Sequence, residues 1–361
     1  MTASSGKPLA PAQQTAPTRR EFVQSATAAA ATLVAAPTLL LPKRTASDHP
    51  VIGAGEYRFE CHHQWGELPS GHHYGDASHG VCIDKQGCFY ISHQGKPGSI
   101  FVFDPDGKFI KSLAPEFEGN GHGIDIREEN GQEFLYLSPA FDQNGFAKID
   151  LNGEWAWRKP LKVIQEETGL YKEKMPFRPT NTSFAPDGGF FLGDGYGSNL
   201  IHQYDKDGKY IRSIGGTGQA DGQFQTPHGQ WLDARDGQPK LAVCDRANKR
   251  LQFFDMDGKF LSKLDGFLFP ADIDIQGDLM VVPDLHCRVT LLDKSNKVLA
   301  QLGDDPQWRQ QALDGFKMRG TPAEWRPGKF VHPHDACFDH QGNIMVTEWV
   351  TTGRVTKLRK V

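Results

Sequence analysis

The sequence predicts an all-β fold: a six-bladed β-propeller of four-stranded antiparallel blades, closed by an N-terminal strand that joins the last blade. Three observations lead there. Glycine is abundant, at 39 of 361 residues, which favours turns over long helices. Four phrases echo one another: FVFDPDGKFI (101–110), HQYDKDGKYI (202–211), QFFDMDGKFL (252–261) and the looser TLLDKSNKVL (290–299). His122, His228 and His334 recur at equal steps of 106 residues, each beside glycine or proline and ahead of a strand-like run.

Each echoed phrase reads as strand, tight Asp-Gly turn, strand. Another hairpin precedes it, with turns such as Asp-Lys-Gln-Gly (84–87), Pro-Asp-Gly-Gly (186–189) or Asp-His-Gln-Gly (339–342). The unit is thus four short strands in about 40–50 residues. Six units begin near His79, His122, Thr180, His228, Ala271 and His334. The sixth shows three strands and ends in VTKLRKV, whereas EYRFECHHQW (56–65) has strand character and no partner. Pairing the two closes a ring and removes exposed edges. A solenoid is the alternative, but it needs end caps that the sequence does not show. Residues 162–174 are expected to form about two helical turns, and 304–328 a long irregular loop.

The first 46 residues read as a twin-arginine-type signal peptide. Arg19-Arg20 leads into the Ala-rich run SATAAAATLVAAPTLLLP, which is short and weakly apolar for a membrane anchor. Residues 47–55 read as a linker and 56–361 as the propeller. The chain is therefore expected to be exported to the periplasm or outside the cell, with no membrane attachment after signal removal. Residues 1–46 carry Lys7, Arg19, Arg20, Lys43 and Arg44 against Glu21, so the remainder is about −8 where the whole chain is −4. An acidic surface argues against nucleic acid or anionic lipid as partner. The six cysteines, Cys61, Cys82, Cys88, Cys244, Cys287 and Cys337, form no Cys-x-x-Cys pair, which argues against a zinc ribbon or redox motif. Disulfides are permitted in an oxidising compartment, and buried free thiols are the alternative.

In a propeller the start of each first strand and the end of each second strand lie on one face of the channel. His122, His228 and His334 then belong to blades two, four and six, about 120° apart. Their imidazoles converge on one point. Three neutral nitrogens with an open position suit a catalytic zinc or similar divalent ion. One such histidine alone would read as a packing residue; three in alternate blades read as a ligand set. His79 in blade one is a fourth candidate. The second-strand ends bring Gln94, Tyr196, Arg246, His286 and Trp349 to the same face, with Asp194 and Asp245 beside them. A tyrosine near a divalent cation loses its proton more readily and can act as base. An arginine there can hold a carboxylate, although an Asp245–Arg246 pair would equally serve structure.

RPTN (178–181), GDGYGSN (193–199), GQFQTPHG (222–229), CDRANKRLQFFDMDGK (244–259) and HPHDACFD (332–339) together resemble the NHL-repeat propellers. More narrowly, they resemble the peptidyl-α-hydroxyglycine α-amidating lyases, over about residues 79–361. That resemblance implies zinc held by His122, His228 and His334, catalysis by Tyr196, and an active-site role for Arg246. It also implies a structural calcium held by the backbone of Val81 and Ile124 and by Asp335. The implied reaction breaks the C–N bond of a carbinolamide to give an amide and glyoxylate. Three departures bear on this. Gln94 stands where the family has a second active-site arginine, and a neutral amide cannot pair with a carboxylate as a guanidinium does. Gly197 stands where the family has a disulfide cysteine. No copper monooxygenase domain accompanies the propeller. The expected substrate is a small molecule or a peptide C-terminus, contacted by Gln94, Arg246 and His79, and the expected state is a monomer. Two other readings stay open: a non-catalytic NHL-type binding module with a structural metal, and a lactonase-like hydrolase. The latter would use Asn181 and Asp272 but has no glutamate at the start of blade one.

Overall fold

An aspartate organises the turn of nearly every hairpin. Asp104 Oδ1 accepts from the backbone N–H of Asp106 and Lys108 at 3.0 and 2.9 Å. Asp205, Asp255 and Asp293 repeat the pattern toward the residues two and four ahead. The carboxylate satisfies two backbone donors that a tight turn would leave unpaired. The glycine of the motif takes the left-handed backbone, φ +90° at Gly107 and +83° at Gly258. In the looser phrase Asn296 takes that role at φ +63°, as asparagine does more readily than other side chains. Asp150 builds the same turn in blade two, an echo the sequence comparison passed over.

The computed structural model describes residues 49–140, 145–172 and 175–361. The twin-arginine pattern and the apolar run after it lie outside the described residues. The strands form six antiparallel sheets, five of four strands and one of five. The first strands of the blades are Ser78–Ile83, Gly123–Glu129, Thr182–Phe184, Pro227–Asp233, Asp274–Gln276 and Pro333–Phe338. First strands of successive blades pack against one another around the channel. In the sixth sheet, Tyr57–His63 pairs antiparallel with Arg354–Lys360 as the expected closing strand. One difference lies just before it. Val51–Ala54, read as linker, forms a hairpin with Tyr57–His63 and adds a fifth strand. The turn Gly55–Glu56 lets the chain fold back, and Ile52 packs on the core between blades five and six.

The core is a set of wedges, one at each blade junction. Val281 and Leu291 of blade five meet Phe338, Val346 and Phe59 of blade six. Ile100 and Leu113 of blade one meet Leu135 and Ile149 of blade two. Phe191 and Ile201 meet Leu241 and Val243 between blades three and four. Middle strands are therefore covered on both faces, which is why Ile100–Phe103 is a continuous apolar run. Outer strands have one wet face, where Ile110, Ile211, Leu261 and Val298 point outward. Leu161–Thr168 is the short helix expected after blade two. The long connection between blades five and six is more ordered than expected: it contains the helix Pro306–Leu313 and two short 3-10 turns. Asp305 caps that helix by accepting from the N–H of Gln307 and Trp308, and Trp308 is buried against Met318 and Val331. Among the described residues no helix is long and apolar enough to cross a membrane. All six cysteines are free thiols.

Candidate metal centre and active site

Four imidazoles meet on the channel axis. Ring centroids lie 4.7 Å apart for His79–His122, 4.5 Å for His79–His334, 4.9 Å for His122–His228, 4.9 Å for His122–His334 and 4.7 Å for His228–His334. One ring nitrogen each of His79, His122 and His334 lies within 4.8 Å of the others, and His228 Nε2 lies 3.3 Å from His122 Nε2. The alternate-blade set predicted from spacing is thus together. His79, expected mainly on the substrate side, is as central as the rest. The reason is the ring order: blade one sits between blades two and six, so its first-strand histidine falls between His122 and His334.

Glycine makes this convergence possible. Gly123 and Gly229 follow two of the histidines where adjacent first strands nearly touch. A Cβ on Gly123 would lie 2.1 Å from Thr180 O, and one on Gly229 would lie 2.3 Å from Asp272 Cα.

The tautomers follow from backbone partners. His122 Nδ1 faces Thr180 O at 2.9 Å, and His228 Nδ1 faces Ala271 O at 2.6 Å. A carbonyl only accepts, so both Nδ1 atoms carry the proton and both Nε2 atoms present lone pairs. Those lone pairs oppose each other at 3.3 Å. Tyr196 has one hydroxyl proton to share between them, at 3.0 Å from His228 and 3.3 Å from His122. At least one lone pair then faces another, a repulsive arrangement that a cation would relieve. Burial pushes the imidazoles toward the neutral form: His122 falls to about 3, and His79, His228 and His334 lie well below the usual histidine range. Neutral ε-nitrogens oriented by Nδ1–carbonyl bonds, as in His122 and His228, suit a divalent transition metal. The residues present fit such an ion.

Arg246 completes the upper side. Its Nη2 donates to the Tyr196 hydroxyl at 2.7 Å, and its guanidinium carbon lies 5.1 Å from the Tyr196 ring centre and 5.2 Å from that of Phe269. The structural pairing with Asp245 that stood as the alternative does not form. Asp245 binds Arg250 at 2.7 Å, as Glu348 binds Arg354 and Asp284 binds Arg288 at the same points of blades six and five. Arg246 is buried, has no ion-pair partner among the described residues, and its Nε lacks an acceptor. Burial raises the Tyr196 phenol, and Arg246 pulls it back down.

Blade three has the acid without the arginine, since Leu200 stands opposite Asp194. Its acid, Asp194, is held by neutral donors instead: the N–H of Arg178 at 2.6 Å, the N–H of Ser198 at 2.7 Å, and the hydroxyls of Ser198 and Tyr171 at 2.6 and 2.8 Å. Tyr171 in turn bonds His202. With no cation beside it, burial raises the Asp194 carboxyl to about 6. This network fixes the turn that carries Tyr196. It also explains the glycine after the tyrosine: a Cβ on Gly197 would lie 2.3 Å from Asp194 Oδ1 and 2.4 Å from Pro176 O.

Gln94, Tyr196 and Arg246 line a cavity of about 510 Å³ above His79, His122 and His334, together with Phe269, Phe316 and Trp349. On the other side of the histidines is a second cavity of about 270 Å³, lined by Val81, Asp125, Asp272 and Asp335. Asp335 accepts from the N–H of Val81 at 2.8 Å, and Asn181 donates to Asp272 at 2.6 Å. Val81 and Asp335 are therefore brought together; Ile124 does not line the cavity, and its neighbour Asp125 does. Burial raises all three carboxyls, Asp335 to about 7 and Asp125 and Asp272 well above the usual range; repulsion from Asp335 adds to the rise of Asp125 and Asp272, whereas the hydrogen bond with Asp272 offsets part of that of Asp335. Such a crowd of oxygens fits a hard cation. Sequence reading missed Asp125; its position just past His122 on the first strand was the available signal.

No family model matches the chain, and no curated protein matches it in sequence. Solved structures do resemble it in fold. A streptogramin B lyase structure aligns with TM-score 0.52 at 11% identity over 83% of this chain and 98% of that one. A virginiamycin B lyase from Staphylococcus aureus aligns at 0.53 and 14% over 84% and 100%. A protein of unknown function from Bacteroides thetaiotaomicron aligns at 0.55 and 13% over 86% and 76%. These likenesses establish the propeller architecture.

Proposed function

We propose that this chain is an exported, metal-dependent lyase that breaks the C–N bond of a carbinolamide, as the amidating lyases it resembles do. The observation that carries the reading is the Tyr196 hydroxyl. It touches the Nε2 atoms of two axial histidines and Nη2 of an arginine that has no ion-pair partner among the described residues. The lyase names of two fold neighbours are in keeping with it.

His122, His228 and His334 would hold the ion, zinc in this reading, with His79 as a further donor on the same axis. Bound there, the ion supplies Lewis acidity toward the substrate hydroxyl. Tyr196, as tyrosinate, accepts that hydroxyl proton. The carbon–oxygen bond becomes a carbonyl as the C–N bond breaks, and Tyr196 returns the proton to the departing amide nitrogen. Atoms balance: one carbinolamide gives one amide and one glyoxylate. Arg246 stabilises the phenolate and holds the substrate carboxylate. Gln94 offers a neutral amide opposite it, so carboxylate binding rests on Arg246 alone. Asp335 and the backbone of Val81, joined by Asp125 and Asp272, would hold calcium as a structural ion. The substrate is a small molecule or peptide C-terminus, and the working unit is a monomer.

The test is release of glyoxylate from an N-acyl-α-hydroxyglycine, with metal analysis of the same preparation. The expected result is about one zinc-like ion per chain and turnover that Tyr196→Phe abolishes while sparing the metal. Wild-type protein that holds the ion and releases no glyoxylate overturns the reading.

A further inference from the structure

The upper cavity is chemically lopsided. Its volume of about 510 Å³ suits enclosure of a small molecule. Among the described residues, Arg246 is its one permanently charged lining residue and no carboxylate lines it. Much of the remaining wall is aromatic. Phe269 stacks on His286 at 4.8 Å and 6° on the blade-five side. On the blade-six side, Phe316 lies 6.2 Å from Trp349 and 5.4 Å from His332.

Phe316 is the unusual member. It belongs to the connection between blades five and six and is 46% exposed. Its backbone is left-handed, φ +54° and ψ +21°, a conformation that costs a bulky side chain free energy and persists where its surroundings enforce it. The enforcement is visible. Arg319 lies 3.3 Å over the Trp349 ring, donates to Trp349 O at 3.1 Å, and reaches Asp76 O of blade one at 3.2 Å. Thr351 N–H then donates to Arg319 O at 3.1 Å. The connection is thus pinned to two blades, and it holds an apolar ring in water at the mouth of the cavity. An exposed ring held in strain beside a concave aromatic wall marks a contact surface.

We propose that the substrate carries an aromatic ring next to its anionic end, and that Phe316, backed by Trp349, is the specificity-determining surface on which that ring packs. This deepens the lyase reading and rests on it only in placing the reacting carbon over the histidines. One cation without a lining acid selects a single negative charge, which Arg246 takes. The aromatic wall takes the ring by edge or offset stacking.

The test compares three α-hydroxy acids with one head group: lactate, hexahydromandelate and mandelate. Binding to the metal-loaded protein is measured by calorimetry. Mandelate should bind roughly two- to tenfold more tightly than its saturated counterpart, and both more tightly than lactate. Phe316→Ala should bring the mandelate-to-hexahydromandelate ratio near one, and Phe316→Tyr should keep it, with thermal unfolding showing both variants folded. Equal binding of the two rings, no binding of any acid, or a ratio unchanged by Phe316→Ala overturns the proposal. Glyoxylate release separates the two readings. Turnover without a ring preference sinks this inference alone, and a ring preference without turnover sinks the lyase reading alone.

Discussion

Arg246 reaches the Tyr196 hydroxyl at 2.7 Å because its sequence neighbour Asp245 is already engaged by Arg250. A guanidinium beside a phenol favours the phenolate. Replacing Arg246 with Met should therefore move the phenol upward in pKa, against a background in which burial already raises it. The expected outcome is a kcat/KM lower by about 10²–10⁴ and a pH–rate profile whose rising limb moves to higher pH. The pH profile is the decisive measurement, since a purely structural loss would lower the rate without moving the limb.

His228→Ala removes one of two opposed Nε2 lone pairs. Metal affinity should fall by more than the roughly 10–100-fold that loss of an outer hydrogen bond costs. Competition with a chelator of known affinity checks this. The variant should remain folded, since the axial histidines lie away from the blade-junction wedges.

Gly197 has no room for a side chain. Its Cβ would enter the Asp194 carboxylate and the Pro176 carbonyl, so Gly197→Ala should destabilise by about 1–3 kcal/mol. Gly197→Cys should do no better, and denaturant unfolding of both variants gives the comparison.

Asp194 titrates from 3.8 in its ordinary state to about 6 here, chiefly through burial. A carboxyl with a raised folded pKa binds its proton better when folded. Its contribution to stability is complete below about pH 4 and is lost as pH rises through 6. Asp194→Asn should remove that part of the pH dependence between 4 and 6 while lowering stability overall, because an amide nitrogen cannot accept from the donors around it. Melting temperatures across that interval, wild type against variant, test the sign.

Calcium should raise the melting temperature of the metal-free protein, since an ion that binds the folded chain and not the unfolded one stabilises it by mass action. Asp335→Asn should abolish most of that shift. If calcium leaves the wild type unchanged, the lower cavity is no calcium site.

Much of the architecture was legible because the repeat is written in turn chemistry. An aspartate that accepts from the N–H groups two and four ahead needs a left-handed residue near the turn's end, so Asp and Gly recur together at each hairpin. The convergence of His122, His228 and His334 was legible for a related reason: equal spacing in a closed repeat means equal angles about an axis. Three features escaped. His79 reads from sequence as a fourth candidate and a substrate contact but not as a core member of the axial set, because sequence counts alternate blades while the ring also brings immediate neighbours together. Asp245 stood as an equal alternative partner of Arg246, whereas the antiparallel register sets it opposite Arg250. The connection between blades five and six looked irregular because its order comes from Trp308 burial and the Arg319 anchors, neither of which has a period.

The sixth sheet is stitched from the two extremities of the propeller, with Phe59 opposite Lys360 and Val361 N–H donating to Arg58 O at 3.0 Å. His334 rides on that sheet. The proposed ligand set is therefore completed only when Arg354–Lys360 pairs with a strand that lies some three hundred residues earlier in the chain. Capture of the proposed ion would then report on ring closure: a chain that lacks either of these two strands would be left with an open ring and an incomplete ligand set.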